Sequence, residues 1–142
     1  MSPYGSDIEI ERIALGLRDR TLPKPEWTHA AHFAAALWLL RQHGLDALRE
    51  IPPLIRAYNE ATGVANTDTT GYHETITLAS LRAGQAWLLA RPRVRLHDAL
   101  QELLASPFGR SDWLLDYWSR DVLFSVAARR AWVEPDRKPL PF

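Results

Sequence analysis

The chain has no cysteine, which excludes a disulfide framework, a thiolate metal site and a cysteine nucleophile. It has no excess of either charge: 17 lysine and arginine residues face 17 aspartate and glutamate residues, for a formal net charge of +0. Nucleic-acid binding normally leaves a basic excess or stripe, and neither is visible, so no nucleic-acid partner is expected. Long apolar runs are missing too. The longest, Phe33 to Leu40, is far too short to span a bilayer, and no membrane partner is expected. Met1-Ser2-Pro3-Tyr4-Gly5 carries neither the basic nor the apolar region of a secretion signal, so the expected location is cytoplasmic.

What remains is an ordinary globular composition, with 142 residues of which 46% are hydrophobic and 24% charged. That length makes one domain with a sizeable core. No stretch alternates apolar and polar residues over strand length. The expected class is therefore an all-α, single-domain bundle of about six helices, with the second and fourth central and short tails over residues 1–5 and 133–142.

Helix boundaries follow from local signals. Ser6-Asp7-Ile8-Glu9 reads as a capping box opening a helix to about Arg18, with Ile10, Ile13, Ala14 and Leu17 on one face. Thr28 caps a second helix to about His43, stopped by Gly44. Leu45 to Thr62 is helical in pattern, but Pro52-Pro53 predicts an end near Ile51 and a restart at Leu54. A polar loop, Ala65 to Gly71, precedes a long helix from Tyr72 to about Ala90. Leu96 to Ala105 forms another, and Ser111 and Ser125 predict caps for two more, through Trp118 and Trp132.

Four polar residues stand where apolar ones would be expected. His29 and His32 open the second helix, and His73 and Glu74 open the fourth. An imidazole or carboxylate buried without partners costs a few kcal/mol, so something must satisfy these groups. On a helical wheel His29 falls with Phe33, Ala36 and Leu40, and His32 flanks them. Residues three apart on a helix are neighbours, so the two rings can share one metal ion or one ligand. His73 lies with Thr77, Ser80 and Gly84 in a groove of small residues, aimed inward, while Glu74 lies further round. Both pairs sit in first turns, where the helix's positive end favours neutral imidazole, the form that ligates metals and accepts protons.

The candidate site is thus a metal set of His29, His32 and His73, with Glu74 and His73 as acid–base residues. Glu74 also stands three residues after Gly71, where a capping acid belongs, and that simpler role ranks first for it. Trp27 and Tyr72 could stack on a ligand and Asn66 and Asp68 could bond one, although core packing and loop shaping are the commoner fates of such residues. His-x-x-His is common by chance, and the His-Glu-x-x-His pattern of zinc proteases is absent. The six tryptophans supply core mass and leave room for a homodimer patch.

The segments Trp27-Thr28-His29-Ala30-Ala31-His32, Tyr72-His73-Glu74-Thr75-Ile76-Thr77 and Trp132-Val133-Glu134-Pro135-Asp136, with Ser119 to Ser125, make the chain resemble a group of small bacterial helical proteins of uncharacterised function. The resemblance covers roughly residues 20–140 and departs at Pro52-Pro53, where the group implies an uninterrupted helix. It implies where the site lies and carries no activity. Three functions stay open. The first is a small-molecule enzyme using a divalent metal, zinc before others, or His/Glu acid–base chemistry, with hydrolysis by an activated water the most economical reaction. The second is a pocket that binds a small molecule without turning it over. The third is a structural or dimerising helical protein whose histidines are satisfied internally.

Overall fold

The computed structural model describes residues 4–142. They form five long helices and two short ones: α1 (Asp7–Asp19), α2 (His29–His43), α3 (Ala47–Ala61), α4 (Glu74–Leu89), α5 (Leu96–Ala105), α6 (Arg120–Leu123) and α7 (Val126–Arg130). No strand occurs among the described residues. None of the described helices is long and apolar enough to cross a membrane.

The capping signals work as the residue types require. Ser6 accepts from the Glu9 amide, Thr28 from the Ala31 amide and Ser125 from the Ala128 amide. Gly44 ends α2 at a φ of 59°. The fourth helix starts at Glu74, later than its apolar pattern suggests, because His73 caps it. Ser111 caps nothing. Asp112 precedes a 3₁₀ turn over Trp113–Asp116 instead, and Ser119 caps α6, a turn that no periodicity announces.

The prolines of α3 do not break it. Pro52 and Pro53 lie inside a continuous helix over Ala47–Ala61. The ring fixes φ near its helical value, and what a proline removes is one amide bond to the carbonyl four residues back. Those carbonyls belong to Leu48 and Arg49, in the first turn of a helix whose outer face is wet, so water can replace the lost bonds. The break expected between Ile51 and Leu54 is therefore absent.

The second helix is central. It packs on α1, α3, α4 and α5, and α4 in turn packs on α3, α5 and α7. Close approach of α2 and α4 depends on Gly84, where an added Cβ would sit 3.2 Å from both Leu37 Cδ2 and Leu40 Cδ1. The groove of small residues on α4 therefore faces α2. Between α3 and the Leu22 carbonyl, the fully buried Tyr58 hydroxyl donates a bond of 2.8 Å.

Both tails are tied down. Of the N-terminal tail over 1–5, residues 1–3 lie outside the described residues; Tyr4 is buried, and its hydroxyl pairs with Thr28 Oγ1 at 3.3 Å. The C-terminal tail is extended but integral. Trp118 donates its indole N–H to the Val133 carbonyl (2.9 Å), and the Asp136 carboxylate accepts from the Ser119 amide (2.7 Å). Arg137 donates its amide to the Tyr117 carbonyl (2.8 Å), and the Phe142 ring reaches that of Phe108. The tail thus clamps the irregular stretch of residues 110–124, which turns out to be one wall of the site.

Candidate functional site

A cavity of about 430 Å³ opens between α2, α4 and that irregular stretch. From α2 come His29, His32, Phe33 and Ala36; from α4 come Ile76, Thr77, Ser80 and Leu81. Ile51 and Ile55 of α3 close one side and Leu114, Leu115, Leu123 and Phe124 another. Ser111, Asp112 and Arg120, all exposed, stand on its border. Its size lies within the range of small-molecule sites, and its walls are mostly apolar with a few polar groups, as such sites are.

The two histidines of α2 both reach this space, and each spends one nitrogen on the fold. His29 donates from Nε2 to the Phe108 carbonyl at 2.9 Å, so in the neutral ring Nδ1 carries the lone pair. His32 donates from Nδ1 to the Thr28 carbonyl at 2.6 Å, which leaves the lone pair on Nε2. Neither lone pair meets a donor among the described residues. Trp27 stacks on the His32 ring, with centroids 3.8 Å apart and planes at 28°, and Tyr58 backs Trp27 from 5.3 Å. Trp27 is therefore part of the wall.

Protein atoms crowded around the His32 ring disfavour its charged form. Protein packed around the ring pushes its pKa down to about 4, and proximity to His29 lowers it further against the raising effect of the Thr28 bond. By accessible surface the residue is exposed, because the cavity borders it. The ring is therefore open to a ligand or to water. An unfolded histidine titrates near 6.5, so below that pH the unfolded chain takes up a proton that the folded one refuses. Stability present above pH 6.5 is expected to fall as pH drops towards 4. The full shift would amount to about 3 kcal/mol; access of cavity water reduces this to about 1–2 kcal/mol, roughly 3–6 °C in melting temperature. Melting curves of wild type and His32→Gln between those pH values check this, since the variant loses that share of the slope.

His73 does not join the other two. Its Nε2–H donates to the Leu123 carbonyl at 2.7 Å, and its Nδ1 accepts from the Ile76 amide at 3.1 Å as the N-cap of α4. Both nitrogens are consumed by backbone, so the ring has no lone pair left for a metal or a substrate proton. Desolvation holds it below the ordinary histidine range, helped by the charge of Arg129 and opposed by the Leu123 bond. Among the described residues no group of three or more His, Cys, Asp or Glu side chains is placed to hold a metal ion. His29 and His32 alone could offer two imidazole nitrogens to one.

His73→Ala is expected to remove a cap and orphan the Leu123 carbonyl, costing about 2–3 kcal/mol, or roughly 5–10 °C in melting temperature. His73→Asn keeps a capping side chain and should recover part of that loss. Ligand affinity should stay within about twofold of wild type in the Asn variant; a folded variant that loses binding would return His73 to the site.

The other expected site residues are outside the cavity. Glu74 accepts the Tyr72 hydroxyl at 2.5 Å and stands in the first turn of α4, where a carboxylate suits the helix's positive end. Tyr72 is buried, with the Arg56 guanidinium 4.3 Å above its ring. Burial raises the Tyr72 pKa, and so does its bond to Glu74. Asn66 organises the loop: its Oδ1 accepts from the Tyr72 amide (3.0 Å) and Asn59 Nδ2 (3.1 Å), and its Nδ2 donates to the Arg56 carbonyl (3.0 Å). Asp68 forms a two-pronged pair with Arg130, at 2.7 and 2.5 Å, fastening the loop to α7. Gly71 closes that loop at a φ of 76°, where a Cβ would also overlap the Ala65 carbonyl.

Sequence reasoning missed Ser111, Asp112, Arg120 and Phe124 as site residues. They lie on turns without periodicity, and the one usable signal was that Arg120 and Phe124 fall in the Ser119–Ser125 segment of the resemblance. Comparison with family models, with curated proteins and with solved structures finds no match to this chain.

Proposed function

We propose that the protein binds a small, predominantly apolar molecule in the cavity between α2, α4 and residues 111–124. The observation that carries this reading is the coincidence, in one apolar space of about 430 Å³, of two imidazoles that each have a lone pair without a protein donor. Both nitrogens are open to water, His29 being half-buried and His32 exposed, and a ligand donor takes the place of that water. His29 and His32 are the groups that orient the ligand, Trp27 fixes the His32 ring, and Ile51, Ile55 and Leu123 supply apolar contact.

The test is a titration with the neutral fluorescent probe N-phenyl-naphthylamine. One saturable site with micromolar affinity is the expected result; a linear, unsaturable rise would remove the reading.

A metal-dependent or acid–base enzyme is the second reading, and one observation favours it: the same two lone pairs could ligate zinc or take a proton. The residues fit a zinc centre poorly, because His73 is committed to backbone and no third ligand stands with the pair among the described residues. About one zinc per chain, lost in His29→Ala/His32→Ala, would promote this reading over the first.

A further inference from the structure

We infer that the molecule this cavity takes is an uncharged apolar compound ending in a hydroxyl group, an alcohol or a phenol, whose O–H is donated to the acceptor nitrogen of His29 or of His32. This rests on the reading that the cavity binds a small molecule, and narrows it to one chemical class.

The argument is one of matching. The ring nitrogens that could act as donors are already used, Nε2 of His29 on the Phe108 carbonyl and Nδ1 of His32 on the Thr28 carbonyl. Each bond fixes the tautomer, so what each neutral ring offers is an acceptor. A carboxylate end would bring more lone pairs to two that are already there. The guanidinium that could hold it, Arg120, is exposed, where water screens it. An ammonium end would find acceptors but would have to shed its hydration against apolar walls, which is far more costly than desolvating a hydroxyl. A plain hydrocarbon would fill the space and offer a donor to neither nitrogen. A hydroxyl brings one donor, is cheap to desolvate, and its oxygen can accept from Thr77 or Ser80, whose hydroxyl-bearing side chains also border the cavity.

The experiment uses four probes with one body and different ends: phenylbutanol, butylbenzene, phenylbutyrate and phenylbutylamine. Each displaces the naphthylamine probe from the full chain at neutral pH. Phenylbutanol is expected to bind at least as tightly as butylbenzene despite the cost of desolvating its hydroxyl, and about tenfold more tightly than either charged compound. In His32→Phe, which keeps a ring for Trp27 to stack on, phenylbutanol should lose about tenfold while butylbenzene does not weaken. Phenylbutyrate binding tightest would overturn the inference in favour of anion capture by Arg120, and phenylbutylamine tightest would overturn it in favour of Asp112. Butylbenzene far tighter than phenylbutanol would show that the imidazoles are not acceptors for the ligand, and would leave the cavity reading intact. If none of the four displaces a probe that itself binds saturably, the inference fails alone. If the probe does not bind either, the cavity reading fails with it.

Discussion

Ser80→Phe is expected to abolish probe binding, by roughly 30-fold or more in affinity, while the protein keeps its fold. Ser80 is half-buried on α4 and borders the cavity opposite α2. A benzyl group there grows into empty space instead of into packed atoms, so it takes the ligand's volume without forcing the core apart. Filling a cavity in this way is commonly neutral or stabilising, and the melting temperature should hold or rise by a few degrees. If the ligand sat elsewhere on the molecule, the same substitution would leave binding unchanged. Titration and a melting curve on one preparation separate the two cases. A fall in both affinity and melting temperature would mean that the side chain had been forced into packed core.

The largest stability effect is expected at Gly109. Its Cβ position is taken: a methyl there would overlap the Leu104 carbonyl oxygen and lie 2.7 Å from that carbonyl's carbon. Both are backbone atoms of α5, which cannot swing aside as a side-chain tip can. Gly109→Ala must therefore displace the 3₁₀ turn over Pro107–Gly109, and this turn presents the Phe108 carbonyl to His29. The expected loss is about 3–5 kcal/mol, or roughly 10–15 °C in melting temperature. What survives folding should bind the probe more weakly, because the His29 ring loses the bond that orients it. An unchanged melting temperature would mean that the turn relaxes freely and has no part in holding the site.

Much of the frame was legible because caps are local. Ser6, Thr28 and Gly44 act within three or four residues of themselves, so the bounds of α1 and α2 could be read from short strings. That His29 and His32 lie close together on α2 was legible for the same reason, since a helical wheel needs nothing beyond its own helix. The Pro52-Pro53 pair was misread because a proline's cost depends on whether water can reach the carbonyls it abandons, and the sequence does not show which face of α3 is wet. His73 shows a harder limit. Its side chain is buried, but it precedes the helix as a cap instead of riding on its wheel, and its role is set by the Leu123 carbonyl, 50 residues away. Whether an inward histidine is a ligand or a cap depends on which backbone oxygen arrives beside it. The wall from Ser111 to Phe124 was illegible as a site because it is built of short turns held by the C-terminal tail through Asp136 and Arg137. Such segments carry no hydrophobic period to read.

Backbone and methyl chemical-shift mapping during titration with phenylbutanol tests the central claim most directly. The account predicts saturable shifts concentrated on His29, His32, Ile51, Ser80, Leu114 and Leu123, which come together only around this cavity. Shifts spread over the exposed side chains of Ile8, Leu45 and Leu89, with the cavity residues silent, would contradict it.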